Sequence, residues 1–289
     1  MNDDFLVPLD RDHPGFRDPE YIRQRDEIAQ AALDWRNARD QGKFLPIPRI
    51  AYKEHQHKIW EHIYTTILDL YAKNAVTSVF DGLKALELNP KEIPELEHVN
   101  LRLEPKTGFR VVPVTGLVKS RYFFSCLTRR EFFCTQYIRH HSAPDFTPEP
   151  DICHDVIGHV PLLMSEPIAK CYVEFAEAAL RATPEEIKQL EQLYWFTVEY
   201  GLCYENGKIK TYGAGNLSSI ADLIRSVDPT MVSHQPFCIK TMLNQSYDPT
   251  IQQPVLFIAP RLEYALQELS DYLNQTFIQT DRPILPLDD

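Results

Sequence analysis

The chain lacks the features that mark membrane-spanning, secreted and nucleic-acid-binding proteins. None of its 289 residues belongs to a run approaching the roughly 20 apolar residues of a transmembrane helix. Its N-terminal segment, MNDD, is acidic, whereas a signal peptide begins with basic residues. The formal net charge of −11 offers no basic surface for a phosphate backbone. We therefore expect a cytoplasmic protein that binds neither membranes nor nucleic acid.

Several sequence motifs are absent as well. The six cysteines include no C-x-x-C pair, and in a chain without a signal peptide this pattern predicts reduced residues of the core. There is no strand-to-helix G-x-G-x-x-G and no glycine-rich phosphate loop followed by lysine. No internal repeat, low-complexity tract or linker interrupts the chain. With 44% hydrophobic residues, it is predicted to fold as one domain.

Local signals predict a mainly helical α+β fold with short strands. Asp18-Pro19-Glu20 is typical of a helix start, and Thr183 followed by Glu186 forms a capping box. Apolar residues at helical spacing predict further helices, over residues 53–73, 76–88, 165–180 and 262–273. Residues 109–116 are predicted to form a short edge strand or extended loop, and Asn206-Gly207 predicts a hairpin turn.

Two histidines, His154 and His159, lie five residues apart in an otherwise apolar run. In a regular helix residues at this spacing point about 140° apart, so both can reach one metal only if the helix ends or deforms. Gly158 and Pro161 would allow such a deformation. The spacing excludes the H-E-x-x-H pattern of zinc proteases. The absence of any His-x-Asp or His-x-Glu argues against the iron enzymes that use oxoglutarate.

Glu199 is the third candidate ligand. Between Leu193 and Cys203 only Thr197 and Glu199 are strongly polar, so this carboxylate is expected to be buried and to need a cation. Two imidazoles and one carboxylate form the triad that suits non-haem ferrous iron. Four alternatives stay open: satisfied core histidines, a Glu199–arginine ion pair, a zinc hydrolase with the same ligands, and a ligand-binding domain without enzymatic activity.

An aromatic patch precedes the two histidines. It contains Phe123, Phe124, Phe132 and Phe133, and a proline-rich loop at 142–150 follows it. Such a patch is typical of a core. Because it leads directly into the histidine-bearing run, it is also a candidate platform for a flat heterocycle.

Five motifs closely resemble the pterin-dependent aromatic amino acid hydroxylases, in particular the bacterial-type members that hydroxylate phenylalanine. They are TQYIRH (135–140), TPEPDICH (147–154), GHVP (158–161), YWFTVE (194–199) and YGAGNLSS (212–219). The resemblance extends from about residue 13 to near the C-terminus. It implies a single catalytic domain over 1–289, with a flexible segment at 1–12 and a tail at 278–289. It further implies a monomer without the regulatory and tetramerising segments of the animal enzymes.

The resemblance also implies roles for individual residues. The cofactors would be ferrous iron and a tetrahydropterin, with dioxygen as co-substrate. The iron ligands would be His154, His159 and Glu199, with Tyr194 close to the metal. The pterin would be held by Val114, Gly116, Leu117, Val118 and Ser120, stacked on Phe123 and faced by Asp155. A free aromatic amino acid would be bound by Arg139, which Asp151 holds, and by Thr147, Trp195, Gly215 and Ser218.

Two positions depart from the family pattern. Asp155 stands where the family usually has glutamate, and Phe133 stands where phenylalanine hydroxylases commonly have histidine. Trp195-Phe196 resembles the phenylalanine and tyrosine hydroxylases more than the tryptophan hydroxylases. Phenylalanine is therefore the first expected substrate, with tyrosine and tryptophan left open.

Overall fold

A computed structural model describes residues 9–145, 149–249 and 251–286. Thr147, predicted to bind substrate, lies outside the described residues. So do residues 1–8 of the segment predicted to be flexible and residues 287–289 of the predicted tail.

The described chain is mainly helical, with short strands, as the sequence predicted. The helices are α1 (Pro19–Asp40), α2 (Glu54–Asn74), α3 (Thr77–Ala85), α4 (Leu96–Thr107), α5 (Ser120–Leu127), α6 (Val160–Leu163), α7 (Glu166–Ala179), α8 (Pro184–Tyr194), α9 (Ala214–Leu217), α10 (Ile220–Arg225), α11 (Ile239–Met242) and α12 (Leu262–Leu273). The strands are β1 (Arg110–Pro113), β2 (Glu131–Cys134), β3 (Leu202–Glu205), β4 (Lys208–Thr211), β5 (Ser233–Pro236) and β6 (Val255–Ala259). Three π-helical turns complete the set: the first π-turn (His154–His159), the second π-turn (Trp195–Glu199) and the third π-turn (Asn274–Ile278).

Side-chain caps fix the starts of α1 and α8, the two helix starts that the sequence predicted. At α1, Oδ1 of Asp18 accepts hydrogen bonds from the backbone N–H groups of Glu20 (2.9 Å) and Tyr21 (3.1 Å). At α8, the hydroxyl of Thr183 accepts from the N–H of Glu186, whose carboxylate accepts in return from the N–H of Thr183 at 2.9 Å. Both predicted helix starts are confirmed. They could be predicted because a cap involves residues that lie close together in the chain.

The strands form two small sheets. β1 and β2 pair in parallel, and the second sheet has the order β4-β3-β6-β5. β3 and β4 make the predicted hairpin, with positive φ angles at Asn206 (52°) and Gly207 (75°), as its tight turn requires.

One continuous core underlies the first and second π-turns. Its largest fully buried side chains include Trp60, Tyr71, Tyr172, Phe175 and Phe196. The hydroxyl of Tyr71 donates to the carbonyl of Ile157 at 2.6 Å, which ties α2 to the first π-turn. The turn that carries the histidines is thus held by the interior of the molecule.

Some predictions were incomplete or wrong. The sequence analysis missed α4 and α5, the second of which begins at Ser120 and carries Phe123, two of the residues predicted to bind pterin. The cysteines are reduced and five of them are buried, but Cys238 is exposed immediately before α11, so its assignment to the core was wrong. Among the described helices, none has the length and apolar character needed to cross a membrane.

Candidate active site

The first π-turn brings the two histidines together. A π-turn closes hydrogen bonds between residues five apart, which places side chains at that spacing on nearly the same face. The Nε2 atoms of His154 and His159 consequently lie 3.1 Å apart. The predicted deformation is confirmed, and it takes the form of a wider turn, not of a helix end. Gly158 allows the turn to pack on α9, because a Cβ there would lie 2.7 Å from the carbonyl oxygen of Ala214.

The second π-turn, which continues α8, supplies the carboxylate. Oε1 of Glu199 lies 3.1 Å from Nε2 of His159, and Oε2 lies 3.7 Å from Nε2 of His154. One donor atom from each residue falls within a 4.8 Å cluster. Neighbouring ligands around an octahedral metal with bonds of about 2.1 Å stand about 3 Å apart. The three donors therefore fit one metal ion, and they occupy only part of its coordination sphere.

Hydroxyl groups orient both imidazole rings. The Nδ1 atom of His154 lies 2.9 Å from Oγ of Ser218, and that of His159 lies 2.8 Å from the hydroxyl of Tyr172. Outer contacts of this kind hold the ring and leave Nε2 available to a metal. Ser218 was predicted only as a substrate residue. Tyr172 was missed, because nothing in the sequence distinguishes it among the buried residues of α7.

The electrostatics of the triad suit a metal as well. Burial lowers the pKa of His154 to about 4, so its ring is neutral at pH 7. Burial alone would raise the pKa of Glu199, but the neighbouring His159 and His154 outweigh it and hold that pKa below its usual value. Among the described residues, the ion-pair partners of Glu199 are these two histidines, and the alternative arginine pair is not formed.

Two cavities meet at the triad. The first has a volume of about 310 Å³ and the second about 430 Å³. They share five residues of their walls, namely Leu117, Pro150, His154, Trp195 and Glu199. The candidate metal position is thus accessible from two separate binding spaces.

All seven predicted pterin residues line the first cavity. These are Val114, Gly116, Leu117, Val118, Ser120, Phe123 and Asp155. The ring of Phe123 makes edge-to-face contacts with those of Phe132 and Tyr194, each with a centroid 5.9 Å away. Because Phe123, Phe124, Phe132 and Phe133 also line the cavity, the aromatic patch is both core and cavity wall.

The two departures from the family pattern have distinct surroundings. Oδ2 of Asp155 accepts hydrogen bonds from the N–H (2.7 Å) and the hydroxyl (2.8 Å) of Thr135, and burial raises the pKa of Asp155 to about 7. Phe133 packs against Tyr122 at 5.4 Å and under the guanidinium of Arg36 at 5.1 Å. At position 133 the cavity therefore has an apolar wall without the ring nitrogens of a histidine.

The second cavity contains four of the predicted substrate residues, Arg139, Trp195, Gly215 and Ser218. Asp151 holds Arg139 through Nε to Oδ2 at 3.0 Å and Nη2 to Oδ1 at 2.8 Å, while Nη1 donates to the carbonyl groups of Pro144 and Ser218 at 3.3 Å each. Asp151 is itself completely buried, so it acts by orienting the guanidinium and does not line the cavity.

The cavities also contain residues that the sequence analysis did not assign. Glu149 lines the second cavity and receives a two-point ion pair from the buried Arg25, at 3.0 and 2.7 Å. Its place in the proline-rich loop beside Asp151 was a signal from which its position at the site could have been predicted. Tyr247 stacks on Trp195 with centroids 4.5 Å apart, and no local pattern predicted that contact.

Comparison with known proteins agrees with this geometry. Residues 4–282 match the family described as biopterin-dependent aromatic amino acid hydroxylase. The chain is 39% identical over 277 residues to tyrosine 3-monooxygenase of Rattus norvegicus, covering 94% of this chain and 54% of that protein. It is 40% identical over 270 residues to phenylalanine-4-hydroxylase of Homo sapiens, covering 91% and 58%. The chain thus spans a little over half the length of these relatives.

A solved structure extends the comparison to the fold. Phenylalanine hydroxylase of Chromobacterium violaceum, with bound iron(III) and oxidised cofactor 7,8-dihydrobiopterin, superposes with a TM-score of 0.76 at 25% identity. The superposition covers 96% of this chain and 95% of that one. Because the family match extends over nearly its whole length, the chain belongs to the biopterin-dependent aromatic amino acid hydroxylase family.

Proposed function

We propose that the protein hydroxylates the ring of a free aromatic amino acid, using ferrous iron, a tetrahydropterin and dioxygen. The first candidate reaction converts L-phenylalanine to L-tyrosine. The observation that supports this proposal most directly is the position of the His154–His159–Glu199 triad where two cavities meet. Tyrosine is a second candidate substrate, since the relatives include both tyrosine and phenylalanine hydroxylases. Tryptophan stays open from the sequence analysis alone.

The triad would hold the iron. Its two imidazoles and one carboxylate are the donor set that suits ferrous iron and leaves positions open. Iron and tetrahydropterin, when bound, supply the redox chemistry that activates dioxygen, which side chains alone do not provide. Glu199 and Tyr194 are the residues assigned to the chemistry, with Glu199 as a ligand. Tyr194 forms part of the apolar wall beside the metal position, and this wall excludes water from the reacting groups.

The first cavity would hold the pterin. Phe123 offers a ring face for stacking, and the loop from Val114 to Ser120 offers backbone groups for the polar edge of a heterocycle. Asp155 would face the pterin from the first π-turn. Its side chain is one methylene shorter than the usual glutamate and is anchored on Thr135, so it would act over a shorter reach.

The second cavity would hold the amino acid. A guanidinium pairs with a carboxylate in a planar, two-point geometry, and Asp151 holds Arg139 in place for such a contact. Trp195 would flank the bound amino acid, while Gly215, Ser218 and Thr147 would complete its binding site. This arrangement would direct the substrate ring towards the triad.

The protein is further proposed to act as a cytoplasmic monomer. Its five buried, reduced cysteines are in keeping with a reducing compartment. Light scattering coupled to size-exclusion chromatography measures the oligomeric state, and a mass of twice 33.6 kDa or more would contradict the proposal.

The test is product formation from phenylalanine with ferrous iron, a tetrahydropterin and oxygen, each omitted in turn, with tyrosine and tryptophan as parallel substrates. We expect tyrosine from phenylalanine only when all three additions are present. His159→Ala should abolish turnover, whereas the control His62→Asn, at an exposed histidine–aspartate pair, should not. Activity with zinc in place of iron, in the absence of oxygen and pterin, would favour the alternative of a zinc hydrolase. No product from any of the three amino acids would contradict the proposal.

A further inference from the structure

A second group of potential metal ligands lies behind Arg139. A separate cavity of about 310 Å³ is lined by Asp18, His55, His140 and His141, and Arg139 forms part of the wall of both this cavity and the second one. One carboxylate oxygen of Asp18 and one ring nitrogen of each of His140 and His141 lie within 4.8 Å of one another. We propose that this Asp18–His140–His141 cluster binds a divalent transition-metal ion of the zinc type.

Asp18 presents one oxygen to the cluster in a fixed direction. Its Oδ1 is occupied by the N–H groups of Glu20 and Tyr21 at the start of α1. Its Oδ2 points the other way and lies 3.2 Å from Nε2 of His140. The helix cap therefore orients the carboxylate before any metal arrives, which reduces the cost of ordering a ligand.

The ring of His140 is oriented by Ser142. Its Nδ1 lies 2.8 Å from Oγ of Ser142, as Nδ1 of His154 faces Ser218 and Nδ1 of His159 faces Tyr172, but it also accepts a hydrogen bond from the backbone N–H of Ser142 at 3.2 Å. These contacts direct Nε2 towards Oδ2 of Asp18, and a metal bound there would displace the proton that lies between Nε2 and Oδ2. The 3.2 Å between Nε2 and Oδ2 matches the spacing of about 3.3 Å between two ligands of tetrahedral zinc with bonds of about 2.0–2.1 Å.

His141 completes the set from the solvent side. Its ring centroid is 4.0 Å from that of His140, and the residue is exposed, so a metal has an entry path. The ring of His55, on α2, approaches His141 to 6.5 Å between centroids and lines the same cavity. Three protein ligands with either His55 or water in the fourth position satisfy zinc.

The surrounding charges permit a cation. The positive end of α1 opposes one, but the carboxylate of Asp18 lies between that end and the cluster. The guanidinium of Arg139 is neutralised by the buried Asp151. Because His140 follows Arg139 directly, an ion in the cluster would restrain the backbone beside the proposed substrate arginine. That consequence rests on the proposed function, whereas metal binding itself does not.

Equilibrium dialysis of untagged protein against Zn²⁺, followed by metal analysis, tests the site. We expect the wild type to bind about two ions per chain. His141→Asn and Asp18→Asn should each bind about one, since asparagine keeps the helix cap but removes the charge. His159→Ala should bind about one ion, and the double variant His159→Ala/His141→Asn about none. His62→Asn, at the exposed pair with Asp145, is the matched control and should keep both ions.

Cobalt(II) absorption in the His159→Ala background gives a second readout. We expect the spectrum of four-coordinate cobalt, and a loss of affinity of more than about 100-fold on His141→Asn, since even an outer-contact change costs 10–100-fold. A single ion per wild-type chain that is lost in His159→Ala, or a second ion retained by both His141→Asn and Asp18→Asn, would overturn the proposal. Failure at the triad would instead appear as a single ion that survives His159→Ala.

Discussion

The hydroxyl of Tyr172 offers a direct test of how the triad is held. It lies 2.8 Å from Nδ1 of His159, in a region where both residues are almost completely buried. Tyr172→Phe retains the ring and removes the hydroxyl, so Nδ1 of His159 loses the partner that fixes its orientation. Removing such an outer contact lowers metal affinity by about 10- to 100-fold, or about 1.4–2.7 kcal/mol. The metal-free protein should lose only about 1 kcal/mol of stability, the usual worth of one hydrogen bond.

Competition with a chromogenic chelator measures iron affinity, and urea unfolding of the metal-free protein measures stability. Tyr71→Phe is the matched control, because Tyr71 is equally buried and donates to the first π-turn, but to the carbonyl of Ile157 instead of a ligand. It should lower stability while changing iron affinity less than about threefold. The reasoning would be refuted if Tyr172→Phe bound iron within about twofold of the wild type, or if Tyr71→Phe lost as much affinity.

Three further predictions concern substrate binding, packing and pH. Arg139→Lys cannot reproduce the two-point pair with Asp151. Steady-state kinetics should therefore show a KM for the amino acid that is raised by about 10- to 100-fold, with kcat changed much less. An unchanged KM would contradict the assignment of Arg139 to the substrate. Gly158→Ala should cost about 1–3 kcal/mol in urea unfolding, because the new Cβ would press on the carbonyl of Ala214, and a neutral effect would show that the π-turn can shift. Burial, helped by Arg25 and His140, lowers the pKa of His13 to about 4, so the unfolded chain binds a proton that folded His13 does not. Stability should therefore fall as pH drops from about 6.5 towards 4, and His13→Gln should reduce the loss between pH 7 and 5 by about 1–2 kcal/mol; equal losses in the two proteins would contradict this.

Features that depend on neighbouring residues could be predicted from the sequence. The caps at Asp18 and Thr183 and the turn at Asn206-Gly207 each involve groups within three residues of one another. The deformation between His154 and His159 was also predictable, because its evidence lay in their spacing and in Gly158. Its form was not, since the π-turn depends on packing against α9.

Features that depend on distant contacts could not be predicted in this way. Tyr172 reaches His159 only because α7 folds back over the first π-turn, and Tyr247 reaches Trp195 only through the loop before β6. The helix α5 was missed because its aromatic residues were read as a patch and not as one face of a helix. Cys238 was misassigned because the exposure of a single residue before a short helix has no periodic signal.

The first π-turn has a consequence for how this site can vary between related chains. A helix that contains a π-turn holds one residue more than an α-helix that enters and leaves at the same points. Deleting one residue between His154 and His159 would convert their spacing to i and i+4, which also shares a face in a regular helix. Both histidines could then still point at a metal. Asp155 would instead lose its contact with Thr135, and Tyr71 its contact with Ile157, because both contacts depend on the wider turn. The close approach of Gly158 to α9 would be lost as well. The extra residue therefore matters for attaching the metal site to the pterin cavity and the core, and not for the pairing of the two ligands.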